Sequence, residues 1–217
     1  MTDQRREMRD RIAKALGRDK APSPTLAIAE LESRLPEAIP RPVWQGQLVD
    51  RFIERLDAAA GTHARLRAID EVPAAVSQYL KDKDEVAQRL GITPHPMLQG
   101  LTWAEDAVPE RDIATARNWG SAVAVGYCGI AETGSIVMPS GPERPTTLNF
   151  LPDHHIVVLA VADIVDYMEA VWDRLLAEGP MPRTVNVITG PSRTADVEQT
   201  LQLGAHGPRS LHVLLID

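Results

Sequence analysis

Cysteine is nearly missing from the chain: Cys128 is the single one in 217 residues. That excludes an internal disulfide, a thiolate zinc site and a self-contained iron–sulfur cluster, each of which needs several cysteines. Redox chemistry would therefore need a bound organic cofactor or belong to a partner. A surplus of positive charge is also lacking. The net charge is -7, which argues against general nucleic-acid binding, because that requires a basic face to displace phosphate counterions. No apolar run reaches membrane-spanning length, and the first twenty residues have no apolar core of the kind a secretory leader carries. The expectation is a soluble, cytoplasmic protein.

Several chemical signatures are missing as well. No G-x-G-x-x-G follows a strand and no G-x-x-x-x-G-K-[ST] occurs, so the common dinucleotide and P-loop motifs do not apply. The segment Gly190-Pro191-Ser192-Arg193-Thr194 begins like a nucleophile elbow but has Thr where the second Gly is required, which speaks against a serine hydrolase. The six histidines lack zinc-motif spacing. His154 and His155 are adjacent, so in extended chain they point to opposite faces. A metal site built from distant His206, His155 and acids stays open at this point. No cofactor is implied by any recognisable motif, although an unknown small anion fits the loops described next.

What is present is a 44% hydrophobic, 24% charged chain of globular character. Residues 3–17 form an amphipathic helix with Met8, Ile12, Ala15 and Leu16 on one face, suited to dock on the body or on a second subunit of a homo-oligomer. Residues 20–42 hold five prolines, Pro22, Pro24, Pro36, Pro40 and Pro42, and read as a linker or wrapping arm, with a short helix around Leu26–Leu35. The expected organisation is thus an N-terminal helical arm, 1–42, and one domain, 43–217.

Within that domain the pattern predicts helices over Val43–Ala60 (closed by Gly61), Val72–Leu80, Asp84–Leu90 (closed by Gly91) and Asp112–Asn118. A further helix is capped by Asp163 and includes Ile164 and Val165, and a short one starts at Asp196. Strands are expected over Thr62–Ala68, around Pro96–Leu98, over Ala122–Tyr127, and over Ile130–Met138 with a turn at Thr133-Gly134. Others follow at His155–Ala162, 184–189 and 211–216. Apolar strands alternating with helices imply an α/β fold with a mainly parallel sheet covered by helices on both faces. Ligands in such sheets sit at the carboxyl ends of the strands, where Glu132 and the 190–194 loop, both following strands, would share one mouth.

Three loops are candidates for chemistry. In Ala131-Glu132-Thr133-Gly134-Ser135, the Glu132 carboxylate is placed to act as base or nucleophile, with Thr133, Gly134 and Ser135 lining the ligand; the same residues read equally as a tight hairpin turn. In 190–196, Gly190, Ser192, Arg193 and Thr194 would form an anion corner before a helix N-terminus, with the Arg193 guanidinium as bidentate donor; the plainer reading is a helix cap with Arg193 in solvent. In 204–209, flanking glycines let the backbone approach a ligand closely and leave His206 accessible. His155 could reach a ligand from its strand entry or be a satisfied structural histidine. Cys128, with no electropositive neighbour in sequence, reads as an inert packed thiol.

AETGS at 131–135, GPSRTADVE at 190–198 and GAHGPRSLHVLLID at 204–217, in this order, resemble the LUD-domain family, in particular its lactate-utilization protein C branch. The resemblance is dense from Tyr127 to the end and thinner from Val43 to Asn118. Where relatives commonly show AETGT, this chain has Ser135. The resemblance implies a NagB/RpiA/CoA-transferase-like fold. It also implies a role in oxidising L-lactate to pyruvate beside two iron–sulfur protein components, which a member with one cysteine and no cluster of its own would join as an accessory. The alternative is a stand-alone enzyme of CoA-transferase or sugar-phosphate-isomerase kind using Glu132.

Overall fold

The computed structural model describes residues 2–17, 23–34, 41–83, 89–103, 107–109, 119–195, 201–203 and 206–217. The chain forms two compact units, Met1–Gln45 and Gly46–Asp217. In the first, helix α1 spans Thr2–Ala15 and α2 spans Pro24–Glu32. Pro24 stands in the first turn of α2, where its missing N–H costs nothing, and the Ser23 hydroxyl caps the helix by accepting from the Leu26 N–H.

The second unit opens with α3 (Leu48–Ala58), β1 (Thr62–Leu66) and α4 (Val72–Asp82). Short strands β2 (Arg89–Ile92) and β3 (Ala107–Pro109) precede β4 (Trp119–Val125), β5 (Cys128–Ile130) and β6 (Ser135–Pro139). Then come β7 (His154–Ala160), β8 (Ile164–Val165), α5 (Met168–Glu178) and β9 (Val185–Ile188). The chain closes through β10 (Arg193–Ala195), β11 (Leu201–Leu203) and β12 (Ser210–Ile216).

Six strands make one sheet in the order β1-β12-β7-β4-β2-β3, and every pair in it is parallel. A second, four-stranded sheet runs β8-β5-β6-β9 and is mostly antiparallel. The expected α/β architecture with a mainly parallel sheet is therefore present, with an added layer. Alternation along β7 explains it. Ile156 and Val158 point to one face, where they pack with Val72, Val76 and Leu80 of α4. Val157 and Leu159 point to the other, against Phe52 and Leu56 of α3 and against Ile136 and Met138 of the second sheet. Helix α5 covers the far side of that second sheet, with Val171 and Leu175 packed on Cys128, Ile130 and Val137. The apolar runs Ile156–Ala160 of β7 and Val213–Ile216 of β12 are what a parallel sheet buried on both faces needs.

Several expected boundaries move. Residues 43–47 are not helical: Gly46 sits at φ 98°, and α3 starts after it. Arg89 and Leu90 belong to a strand rather than a helix, with Gly91 inside it; residues 84–88 lie outside the described set, as does the helix expected at 112–118. Pro96–Leu98 is a 3-10 turn, since two nearby prolines deny a strand its donors. Ile164 and Val165 pair with β5 instead of opening a helix, which begins at Met168. The helix expected from Asp196 falls on 196–200, outside the described residues; Arg193–Ala195 before it and Leu201–Leu203 after it form an antiparallel pair.

Candidate functional site

Two glycine turns are pressed onto one helix. Gly134, in the turn between β5 and β6, has φ 68°, and a Cβ there would lie 2.3 Å from the Leu56 backbone nitrogen. Gly190, just after β9, has φ 70°, and its Cβ would lie 2.1 Å from the Ala59 carbonyl oxygen. Both demand glycine on two grounds at once, a left-handed backbone and no room for a side chain. Because β6 and β9 are antiparallel with Ile136 opposite Ile188, Ser135 comes to face Thr189. Their hydroxyls stand 2.6 Å apart, and Thr133 Oγ1 is 2.7 Å from Ser135 Oγ. The AETGS turn and the loop after β9 are thus joined by a line of three hydroxyls. Glu132 is half-buried at the start of the same turn, held by its N–H to the Asp166 carbonyl.

The loop after β9 is tied to the last one as well. The Ser192 N–H donates to the Pro208 carbonyl, and Gly207 lies against the Ser192 side chain. Arg193 donates through Nη2 to the Ala59 carbonyl at the end of α3. This helps neutralise the negative end of that helix while using one of five guanidinium donors. Helix α3 closes on Ala60 at φ 59°, not on Gly61, a left-handed conformation that an alanine adopts only when its surroundings hold it there.

Beside this junction opens a pocket of about 420 Å³ lined by Ala60, Thr62, Tyr79, Lys83, Pro191, Arg193, Arg209, Ser210 and Leu211. Three of those are cations, and no carboxylate lines it among the described residues. Its floor is hydrogen-bonded. The Tyr79 hydroxyl donates to Ser210 Oγ at 2.9 Å, Ser210 Oγ is 2.6 Å from His154 Nδ1, and Thr62 Oγ1 is 2.8 Å from His212 Nδ1. Burial raises the Tyr79 phenol above its ordinary value, so it remains a donor. Tyr79 stacks on His212 at 4.1 Å, and burial pushes that imidazole down to about 4, which keeps it neutral. Arg209 is held in part by Asp153, 3.2 Å away.

Thr62, Ser210 and His154 each begin a parallel strand. The pocket therefore lies at the amino edge of the parallel sheet, not at the carboxyl ends where it was expected. Glu132 and 190–194 do follow strands, but strands of the second sheet. Of the expected ligand residues, Arg193 lines the pocket. Gly190 and Ser192 shape the adjoining loop, and Thr133, Gly134 and Ser135 join it through Thr189. Thr194 stands in β10 opposite Gln202.

Three expected residues, Glu132, His206 and His155, are not brought here: none of them lines the pocket. His206 is exposed and does not line the pocket. His155 is wholly buried with neither ring nitrogen hydrogen-bonded, and burial lowers it to about 4, so it is neither a reachable ligand contact nor a satisfied histidine. Among the described residues no group of three metal-binding side chains joins it to His206. Cys128 is buried, and desolvation pushes its thiol up to about 12, far from a reactive thiolate. Sequence reasoning missed Thr62, Tyr79, Lys83, Thr189 and Ser210, which the fold gathers from four separate segments. Arg209, directly after His206-Gly207-Pro208, carried the one local signal.

The LUD domain family model matches residues 49–216, which takes in every loop of this site. The chain belongs to the LUD-domain family. An uncharacterised protein of Neisseria meningitidis is 43% identical over 90 residues, covering 41% of this chain and 39% of that one. The Escherichia coli protein YkgG, also uncharacterised, is 26% identical over 99% of both chains. A Deinococcus radiodurans protein named lactate utilization protein C is 30% identical over 85% of this chain and 87% of its own. A crystal structure of a DUF162 family protein from Deinococcus radiodurans superposes with TM-score 0.61 at 22% identity, over 81% of this chain and 100% of that one, and supports the LUD fold.

Proposed function

We propose that this LUD-domain protein is a cluster-free accessory component of a system that oxidises L-lactate to pyruvate, and that it binds a small anionic ligand at the pocket beside the two glycine turns. The observation that carries the first half is the likeness, over 85% of the chain, to a protein named lactate utilization protein C. One buried cysteine suits a member that leaves electron transfer to iron–sulfur partner proteins. The second half is supported by the pocket's three cations and uncharged hydroxyl floor. Deletion of the gene is expected to abolish growth on L-lactate, with rescue by the wild-type copy, and the tagged protein is expected to co-purify with iron and acid-labile sulfide. Normal lactate growth of the deletion strain, with no second copy present, would remove the proposal.

A further inference from the structure

We infer that the occupant of the amino-edge pocket is not lactate or pyruvate but a larger, phosphate-bearing anion. This rests on the reading of the pocket as an anion site and names the class of anion. Size comes first. The pocket measures about 420 Å³, within the range of sites for drug-sized ligands. L-lactate displaces roughly three waters, about 90 Å³ at about 30 Å³ each, and would leave most of that space unfilled.

Charge gives the same answer. Lys83, Arg193 and Arg209 bring three positive charges, and Asp153 offsets one through Arg209. Two remain, one more than a lactate or pyruvate carboxylate neutralises. A phosphate monoester carries about -1.5 to -2 near neutral pH, which matches. Geometry separates phosphate from a dicarboxylate. Lys83 follows the end of α4, Arg193 opens β10, and Arg209 and Ser210 sit at the entry to β12, so the donors approach from three separate elements. A tetrahedral group accepts from such directions, whereas a carboxylate accepts in its plane. When His154 carries its proton on Nδ1, Ser210 keeps its own O–H for the ligand. Ala60, Pro191 and Leu211 give the remainder of the ligand an apolar wall.

The test is isothermal titration calorimetry of the full-length protein with pyrophosphate, glycerol 3-phosphate, adenosine diphosphate, citrate and L-lactate as probes. Binding is expected for phosphate-bearing probes and not for L-lactate, weakened about tenfold or more in Arg193→Gln and again in Arg209→Gln. Preference for adenosine diphosphate over glycerol 3-phosphate would identify a nucleotide source, and the reverse a small organophosphate. All three cations are exposed, so the variants should keep the wild-type melt, which circular dichroism checks. Tighter binding of citrate or L-lactate at the same arginines overturns the phosphate assignment and leaves the anion reading standing. Phosphate binding that survives Lys83→Met/Arg193→Gln/Arg209→Gln places the ligand elsewhere and overturns the inference. No binding of any probe removes both the inference and the anion half of the proposed function, while the lactate-growth experiment still decides the other half.

Discussion

Helix α3 ends between two regions built on opposite principles. On one side is a seam, where Gly134 and Gly190 meet Arg55, Leu56 and Ala59 at backbone distance and Ser135 is buried. On the other is the pocket rim, where Lys83, Arg193 and Arg209 stand exposed around open space. The seam is specified by what cannot be added, the rim by charge that water already solvates. Substitutions should therefore cost stability at the seam and binding at the rim. This division also explains why the most recognisable motifs of the chain contribute few ligand contacts: AETGS and the glycine of GPSRTAD shape the seam that holds the rim in place.

The largest effect should come from putting a methyl group into the seam. Gly134→Ala and Gly190→Ala each force a left-handed alanine against backbone, at 2.3 Å and 2.1 Å respectively, and should each destabilise by about 3–5 kcal/mol. Chemical denaturation checks this, with Gly141→Ala as control, since a Cβ there meets nothing within 4 Å. A loss under 1 kcal/mol at both seam positions would mean that the seam yields, and the contrast with the rim would fail.

A second effect tests how dry the interior behind the pocket is. Leu211 lines the pocket and pairs in register with His155 on the neighbouring strand. The folded His155 is held near 4 by burial, while in the unfolded chain it titrates near ~6.5. As pH falls below that value the unfolded state takes up a proton that the folded state refuses, so stability drops progressively down to about pH 4. His155→Phe should remove this share of the loss. Because both ring nitrogens lack partners, the variant should match or exceed wild type at pH 7 and surpass it by about 2 kcal/mol at pH 4.5. Parallel melting curves at the two pH values measure it; an unchanged wild-type–variant gap would show that His155 has found a partner.

The same contrasts decide which parts of the fold are legible in the sequence. The strands at His154–Ala160 and Ser210–Ile216 announce themselves because burial on both faces keeps Ile156–Ala160 and Val213–Ile216 continuously apolar, and Val72–Leu80 because one helical stripe is apolar. Ile164-Val165 was legible only as part of a helix pattern: two β-branched residues before a helix look like its first turn, and only their pairing with Gly129 and Ile130 makes them a strand. Arg89-Leu90 was misread for the same reason, since a four-residue strand carries too little periodicity to outweigh its flank. At the site, Arg193 was visible because its loop is locally unusual. Tyr79 and Thr62 were not, because nothing nearby in sequence records that Tyr79 reaches Ser210 or that Thr62 reaches His212, some 150 residues away.

The hydroxyl line across the seam comes next in size. Thr189→Val removes the partner of a Ser135 hydroxyl that has 1% exposure, yet Thr133 Oγ1 still faces that hydroxyl. The expected cost is about 1 kcal/mol. Ser135→Ala combined with Thr189→Val should cost less than the sum of the two single changes, because both partners of one bond are then gone. A double-mutant cycle on denaturation midpoints measures the coupling, and strict additivity would show that the 2.6 Å approach carries no energy.

The smallest effect is the sharpest test of the rim. Arg193→Gln and Arg209→Gln should each change unfolding stability by no more than about 0.5 kcal/mol, the usual range for surface positions. Arg209 gives up an exposed ion pair with Asp153, and Arg193 gives up one hydrogen bond to the Ala59 carbonyl. That second loss is where the division is most exposed. If the guanidinium chiefly caps α3, Arg193→Gln will destabilise by more than 1 kcal/mol, and Arg193→Lys, which keeps the charge but not the planar fork, will restore little of it. If it chiefly serves the pocket, stability will hold while anion affinity falls, and Arg193→Lys will recover part of the affinity through charge alone. Stability and affinity measured on the same three proteins therefore assign Arg193 to the seam or to the rim.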